Sequence, residues 1–234
     1  MADWDEIAES FDEAFFADPM YSLILAAMVK KARDGKVERA LDLGCGTGNL
    51  IAMLLEEFPA AEMIGVDPSA GMRGMSEERF RSHPNVEIMG GDALDIPLED
   101  GSVDLIVTSL ALHHVSLDLK PSCAREMARV LKPGGRFIHA DPFCGVAGAA
   151  DDAERWRDII ERMVAKALYS LEHGAWKMML GELKAITPVL RGEGEYMITV
   201  EEWEVLLQDA GFSNFEVFDI PPVDLIKIVS CRLD

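Results

Sequence analysis

Leu41-Asp42-Leu43-Gly44-Cys45-Gly46-Thr47-Gly48-Asn49-Leu50 is the stretch that decides the fold. An apolar strand edge runs into three glycines spaced two apart, and an apolar helical run follows directly. Glycine lets a backbone turn tightly and approach a ligand more closely than any residue with a Cβ. The helix opening over Thr47 to Leu50 aims its free N–H groups into the same crevice. The reading is a nucleotide-type ligand site at the carboxyl end of a parallel strand. The spacing is G-x-G-x-G, one residue tighter than that of dinucleotide folds.

Working outward, further strands follow in order. Ala61 to Asp67 ends in an acid, and Asn85 to Gly91 is followed by Asp92-Ala93. Val103 to Ser109 is a fourth strand. Ala128 to Leu131 closes a helix, and Lys132-Pro133-Gly134-Gly135 turns the chain into a fifth strand at Arg136 to Ile138. Helices are expected at about 47–57, 69–80 and 118–131. Alternation of strand and helix from 39 to 142 predicts a parallel sheet with helices on both faces.

The flanks differ. Trp4, Ile7, Ala8, Phe11 and Phe15 fall at helical spacing, and Pro19 separates this helix from a second one over Tyr21 to Arg33. Residues 151 to 186 break the strand–helix rhythm. Trp156, Ile159, Ile160, Met163, Val164, Ala167 and Leu168 form an apolar helical stripe there, read as a cap inserted after strand five. Thr199-Val200-Glu201-Glu202 is a capping box for a last helix that stops at Gly211. Phe212 to Ile220 and Asp224 to Arg232, split by Pro221-Pro222, complete seven strands. No internal repeat or low-complexity segment is visible.

Composition bounds the function. The 234 residues suit one domain, and 49% hydrophobic content is ample for a core. Twenty-two basic against 42 acidic residues give a net charge of −20, which disfavours nucleic acid and anionic membrane as partners. The acidic start Met1-Ala2-Asp3-Trp4-Asp5-Glu6 reads as no signal peptide, and the apolar run Leu23 to Val29 is too short to span a bilayer. Cys45, Cys123, Cys144 and Cys231 are scattered, with no metal-ligand spacing. They read as reduced thiols in a cytoplasmic protein.

The glycine loop, the acids of Asp67 and Asp92-Ala93, and the Lys132-Pro133-Gly134-Gly135 turn resemble a class I S-adenosylmethionine (SAM)-dependent methyltransferase. The pattern is similar to the type 11 family of small-molecule enzymes, closely over residues 36 to 142 and loosely at the flanks. The resemblance implies an α/β, Rossmann-like seven-stranded sheet whose last strand is antiparallel, with helices on both faces and a helical cap. It implies one domain over 1–234: N-terminal helices 1–35, SAM-binding core 36–145, cap 146–198, and final helix and strands 199–234.

The resemblance also implies roles for residues. Gly44, Cys45 and Gly46 form the loop against SAM. Asp67 accepts both ribose hydroxyls, with Pro68 and Met72 beside it, or else it caps the helix from Ser69 to Phe80. Asp92 with Ala93 meets the adenine edge, or else Asp92 is a loop-turn aspartate. Asp42, Ser109 and Leu110 line the methionine end. Related enzymes carry W-x-x-x-A-x-x-Y-D at the start; Trp4, Ala8, Phe11 and Asp12 match except for Phe in place of Tyr. Phe11 is expected to cover the cofactor, with Tyr21 a source of the missing hydroxyl.

The implied reaction is in-line methyl transfer from SAM to a small-molecule acceptor, leaving S-adenosylhomocysteine (SAH). Orientation and exclusion of water are the protein's share, and no metal is called for. A base is needed only for a protonated acceptor, and His113 and His114, after strand four, are the candidates. Asp141, Cys144, Trp176 and Tyr196 are candidates for the acceptor pocket between cap and core. The chain is expected to be a monomer or homodimer. Two alternatives remain open: a SAM-using enzyme of another type, like carboxy-SAM synthases, and a SAM-binding protein without catalysis. An NAD-dependent dehydrogenase is disfavoured by the tighter glycine spacing.

Overall fold

The computed structural model describes residues 4–149 and 151–234. The Ile7 side chain of the expected N-terminal stripe lies outside the described residues.

The apolar runs form seven strands: β1 (Arg39–Leu43), β2 (Glu62–Asp67), β3 (Val86–Gly90), β4 (Val103–Ser109), β5 (Leu131–Pro142), β6 (Phe212–Asp219) and β7 (Ile226–Leu233). They make one sheet in the order β3-β2-β1-β4-β5-β7-β6. The first five are parallel, and β7 is antiparallel to both β5 and β6, as the resemblance implied. Side chains alternate across a strand, so neighbouring residues of β1, β2 and β4 enter two different cores. Ala40, Met63 and Leu105 pack on one face with α2 (Pro19–Ala32) and α3 (Asn49–Glu57). Leu41, Ile64 and Ile106 pack on the other with α5 (Lys120–Val130) and α8 (Val200–Asp209). Burial of both faces is why these strands read as continuous apolar runs.

α4 (Ala70–Phe80) follows β2, and α1 (Trp4–Phe16) packs against it. The capping box at Thr199 is formed, with Thr199 Oγ1 accepting from Glu202 N and Glu202 from Thr199 N. Two local readings shift. Leu131 already pairs with Val103, and the chain bulges out through Lys132–Gly135 before pairing resumes at Arg136 with Leu105. The glycine turn is therefore an interruption within β5 and not its start.

Between β5 and α8 stand α6 (Ala153–Glu172) and α7 (Trp176–Arg191), packed together and joined by a short turn. α7 extends past the expected end at 186 and carries Pro188 in its last turns. Asp152 caps α6 by accepting from Glu154 N and Arg155 N at 2.8 and 3.1 Å. α6 is fastened to α2 by a buried cluster: Lys166 pairs with Asp18, and Ser170 Oγ donates to the same carboxylate at 2.8 Å. Asp18 also caps α2, accepting from Met20 N at 2.9 Å.

Candidate functional site

The strand order reverses at β1, which lies between β2 and β4, and ligands of open parallel sheets bind at that point outside the carboxyl ends. The loop after β1 is built for close approach. Gly44 has φ +76°, and a Cβ there would stand 2.5 Å from Ala111 Cβ. Gly44 N and Cys45 N both donate to Val66 O, at 2.7 and 3.1 Å. Gly46 N donates to Asp67 Oδ2 and Ser69 N to Asp67 Oδ1, each at 2.9 Å. Asp67 thus ties the loops after β1 and β2 together. Burial nevertheless raises its pKa above the usual carboxylate value, against those two N–H groups.

A cavity of about 430 Å³ opens here. Its floor is the strand ends: Asp42, Gly44, Cys45 and Gly46 after β1, Asp67 and Pro68 after β2, Asp92 and Ala93 after β3, and Ser109 and Leu110 after β4. Leu110 holds φ +54°, uncommon for a residue with a branched side chain, and its N–H reaches Ala140 O at 2.8 Å. Asp42 is buried, and burial, then the charge of Asp67, pushes its pKa up to about 8. Its Oδ2 and the Ser109 Oγ are buried with no hydrogen-bond partner among the described residues. Such groups are costly unless satisfied, which marks this end of the cavity as a ligand-facing polar pocket. Asp92 Oδ1 is occupied by the turn it closes, accepting from Leu94 N and Asp95 N at 2.7 and 3.1 Å.

The roof is aromatic. Trp4, Phe11 and Phe15 of α1 line the cavity with Tyr21, and the Phe11 and Phe15 rings stack with centroids 3.9 Å apart. Two carboxylates of α1 pin this roof to the floor. Asp12 accepts from Thr47 Oγ1 at 2.6 Å, Asn49 Nδ2 at 2.8 Å and Arg79 Nη2 at 2.6 Å. Asp5 accepts from Ser69 Oγ at 2.6 Å and Gly71 N at 2.8 Å. The Tyr21 hydroxyl accepts from Asn49 Nδ2 at 3.2 Å, so its oxygen is engaged beside the cavity.

One wall is formed by the single turn Leu112–His114. His114 lines the cavity, while His113 turns away from it. His113 Nδ1 meets Asp141 Oδ1 at 2.7 Å, and Nε2 lies 3.3 Å from Glu195 Oε2. Burial depresses the His113 pKa, but Asp141 and then Glu195 outweigh it, so the net shift is upward. Asp141 also faces His139 Nε2 at 3.1 Å. Burial would raise its pKa, yet the two histidines hold it well below the usual range. His114 Nδ1 meets Gly194 O at 2.9 Å, and burial, then His113, lowers its pKa to about 4. Tyr196 N donates to His113 O at 2.7 Å, which carries the loop after α7 against this wall.

Phe11, Asp42, Gly44, Cys45, Gly46, Asp67, Pro68, Met72, Asp92, Ala93, Ser109 and Leu110 therefore all line one cavity, together with His114 and Tyr196. His113, Asp141, Cys144 and Trp176 do not. Asp141 sits behind His113, and Cys144 is buried with its thiol pushed up to about 11 by burial. Trp176 is 60% exposed at the start of α7. Sequence reasoning assigned no role to Asp5, Asp12 or Glu195. Asp12 had a signal, as the acid of the N-terminal pattern; Glu195 had none.

Comparison with known proteins agrees with this architecture. Residues 40–135 match a family model described as a methyltransferase domain. An uncharacterized methyltransferase of Geobacillus kaustophilus is 32% identical over 171 residues, covering 72% of each chain. An uncharacterized 37.1 kDa protein in a Streptomyces fradiae transposon is 42% identical over 112 residues. That match takes 47% of this chain, which spans about a third (31%) of that relative's length. Among solved structures, Haemonchus contortus phosphoethanolamine N-methyltransferase 2, in complex with phosphomonomethylethanolamine and SAH, superposes with a TM-score of 0.69 at 16% identity. It covers 98% of this chain and 58% of that one.

Proposed function

We propose, because the chain belongs to the class I SAM-dependent methyltransferases, that it moves a methyl group to a small-molecule acceptor by in-line displacement inside the 430 Å³ cavity. The observation that carries this reading is the division of the cavity. A floor of strand ends with unsatisfied polar atoms faces an aromatic roof, and His114 and Tyr196 stand at one wall. A pocket of this size and lining suits a small ligand.

The residues present fit SAM, which when bound supplies a methyl group activated on a sulfonium. Asp67 keeps its two backbone N–H groups and has lone pairs left for the ribose hydroxyls. Asp92 has Oδ2 left for an exocyclic amine beside Ala93, with Pro68 and Met72 along the same wall. The buried Asp42 Oδ2 and Ser109 Oγ, near Gly44, Cys45, Gly46 and Leu110, are matched by the ammonium and carboxylate of the methionine end. Phe11 with Trp4 and Phe15 covers the site and excludes water, so that orientation and enclosure are the protein's share of the rate.

His114 and Tyr196 receive the acceptor's reacting atom, and His113, held by Asp141, orients this wall from behind. Cys144 and Trp176 lie away from the cavity and are left out of the acceptor pocket. We read residues 1–234 as one domain in which α6 and α7 form a cap over the core. The four cysteines are free and buried, in keeping with a cytoplasmic setting. No helix among the described residues is long and apolar enough to cross a membrane.

The test is transfer from methyl-labelled SAM to a panel of phenols, amines, thiols and carbon acids, with total RNA and unfolded protein as competing acceptors. Label in a small molecule is expected. Label confined to macromolecules, or none despite SAH binding, overturns the reading.

A further inference from the structure

We propose that His113, His114 and Glu195 form a binding site for one divalent transition-metal ion at the cavity wall. One ligand atom from each of the three side chains lies within 4.8 Å of the others. His113 Nε2 and Glu195 Oε2 are already 3.3 Å apart, and the His114 ring, 3.8 Å from Glu195 Oε1 at its Nδ1 edge, offers Nε2 as the third ligand atom. Metal–ligand distances of about 2.1 Å place tetrahedral ligands roughly 3.4 Å from one another. A small movement of the Glu195 carboxylate, on the loop between α7 and α8, closes the remaining gap.

The surroundings are those of a supported metal site. Imidazole ligands are held by an oxygen on the nitrogen that does not ligate. Asp141 Oδ1 takes that place for His113 at 2.7 Å, and the Gly194 carbonyl does so for His114 at 2.9 Å. An ion network explains His113 between two carboxylates. It does not explain His114, whose Nε2 is buried without a hydrogen-bond partner among the described residues. Two imidazoles and one carboxylate select zinc, iron, cobalt or nickel over magnesium or calcium, which prefer all-oxygen shells. Three protein ligands leave positions open, and His114 borders the cavity. The inference deepens the acceptor role given above to this wall: the ion would hold an oxygen or nitrogen of the acceptor there. Occupancy itself is read independently of methyl transfer.

The experiment uses the full chain stripped with chelator and dialysed. Co²⁺ is titrated with detection of its visible ligand-field absorption, and Zn²⁺ by calorimetry. Wild type, Glu195→Gln and His114→Ala are compared, each checked for a cooperative thermal transition. One equivalent of either ion is expected, with at least a tenfold weaker affinity in Glu195→Gln and an altered Co²⁺ spectrum in both variants. No binding by wild type at 100-fold excess over protein overturns the site, and so does binding unchanged in the variants. Glu195→Gln preserves the side-chain shape, so its result stands even if His114→Ala unfolds. SAH titrated into the same wild-type sample separates the two readings: SAH binding without metal overturns this site alone, and metal binding without SAH upholds it while overturning the methyl-transfer reading.

Discussion

Asp12, on the helix that roofs the cavity, accepts a hydrogen bond from Thr47 Oγ1 at 2.6 Å, at the point where the glycine loop enters α3. The same carboxylate takes Asn49 Nδ2 and Arg79 Nη2. One side chain therefore fastens the roof to the loop that lines the cavity floor.

Removing that fastening should loosen the roof without touching the floor. A hydrogen bond to a charged group contributes about 1.5–3 kcal/mol. Asp12→Ala is expected to weaken SAH binding about tenfold or more, because α1 must then be ordered at the expense of binding. Calorimetric titration checks this. An affinity equal to that of wild type would show that α1 takes no part in holding the ligand.

Asp42 should give the free protein a distinct pH dependence. Its carboxyl, raised to about 8 by burial, stays protonated in the folded chain while the unfolded chain ionises near the ordinary carboxylate value of 3.8. The unfolded state thus binds fewer protons between these values, so stability falls as pH rises from about 4 to about 8 and then levels off. Asp42→Asn removes this contribution. The stability of wild type relative to Asp42→Asn, from urea unfolding at pH 5 to 9, should decline up to about pH 8. A constant difference across that range would show that Asp42 is ionised in the folded protein.

The Lys166–Asp18 pair is buried, with Ser170 completing it, and joins α6 to the start of α2. Breaking a buried pair by removing one partner costs about 3–5 kcal/mol, since it leaves a lone charge. Lys166→Met should lose stability on that scale, and Asp18→Asn combined with Lys166→Met should recover part of it. Urea unfolding measures both. A single variant within about 1 kcal/mol of wild type would mean that the pair is solvated in solution.

What was legible in the sequence follows the range over which its signals act. β1, β2 and β4 are apolar runs buried on both faces, β3 is a half-exposed edge strand, and the residues lining the cavity floor sit at the carboxyl ends of all four. Finding the strand ends therefore found Asp42, Asp67, Asp92 and Ser109 together. Turn chemistry was legible to within a few residues, as the β5 bulge at Lys132–Gly135 shows. The wall at His113 and His114 was less so. Asp141, one residue before the end of β5, is held behind the cavity by His113 and His139. Glu195 reaches His113 from a loop 82 positions away along the chain, with no local pattern to announce it. Trp176 is expected at the acceptor pocket from its place in the cap, yet it is exposed at the start of α7, whose position depends on tertiary packing that no local spacing encodes.

The central claim is a SAM site whose ribose is held by Asp67. Titration of SAH into wild type and Asp67→Ala, with NAD as the control ligand, tests it most directly. Wild type is expected to bind one equivalent of SAH and no NAD, with a loss of SAH affinity of at least tenfold in Asp67→Ala. NAD binding in place of SAH, or an Asp67→Ala variant that binds SAH as wild type does, would contradict it.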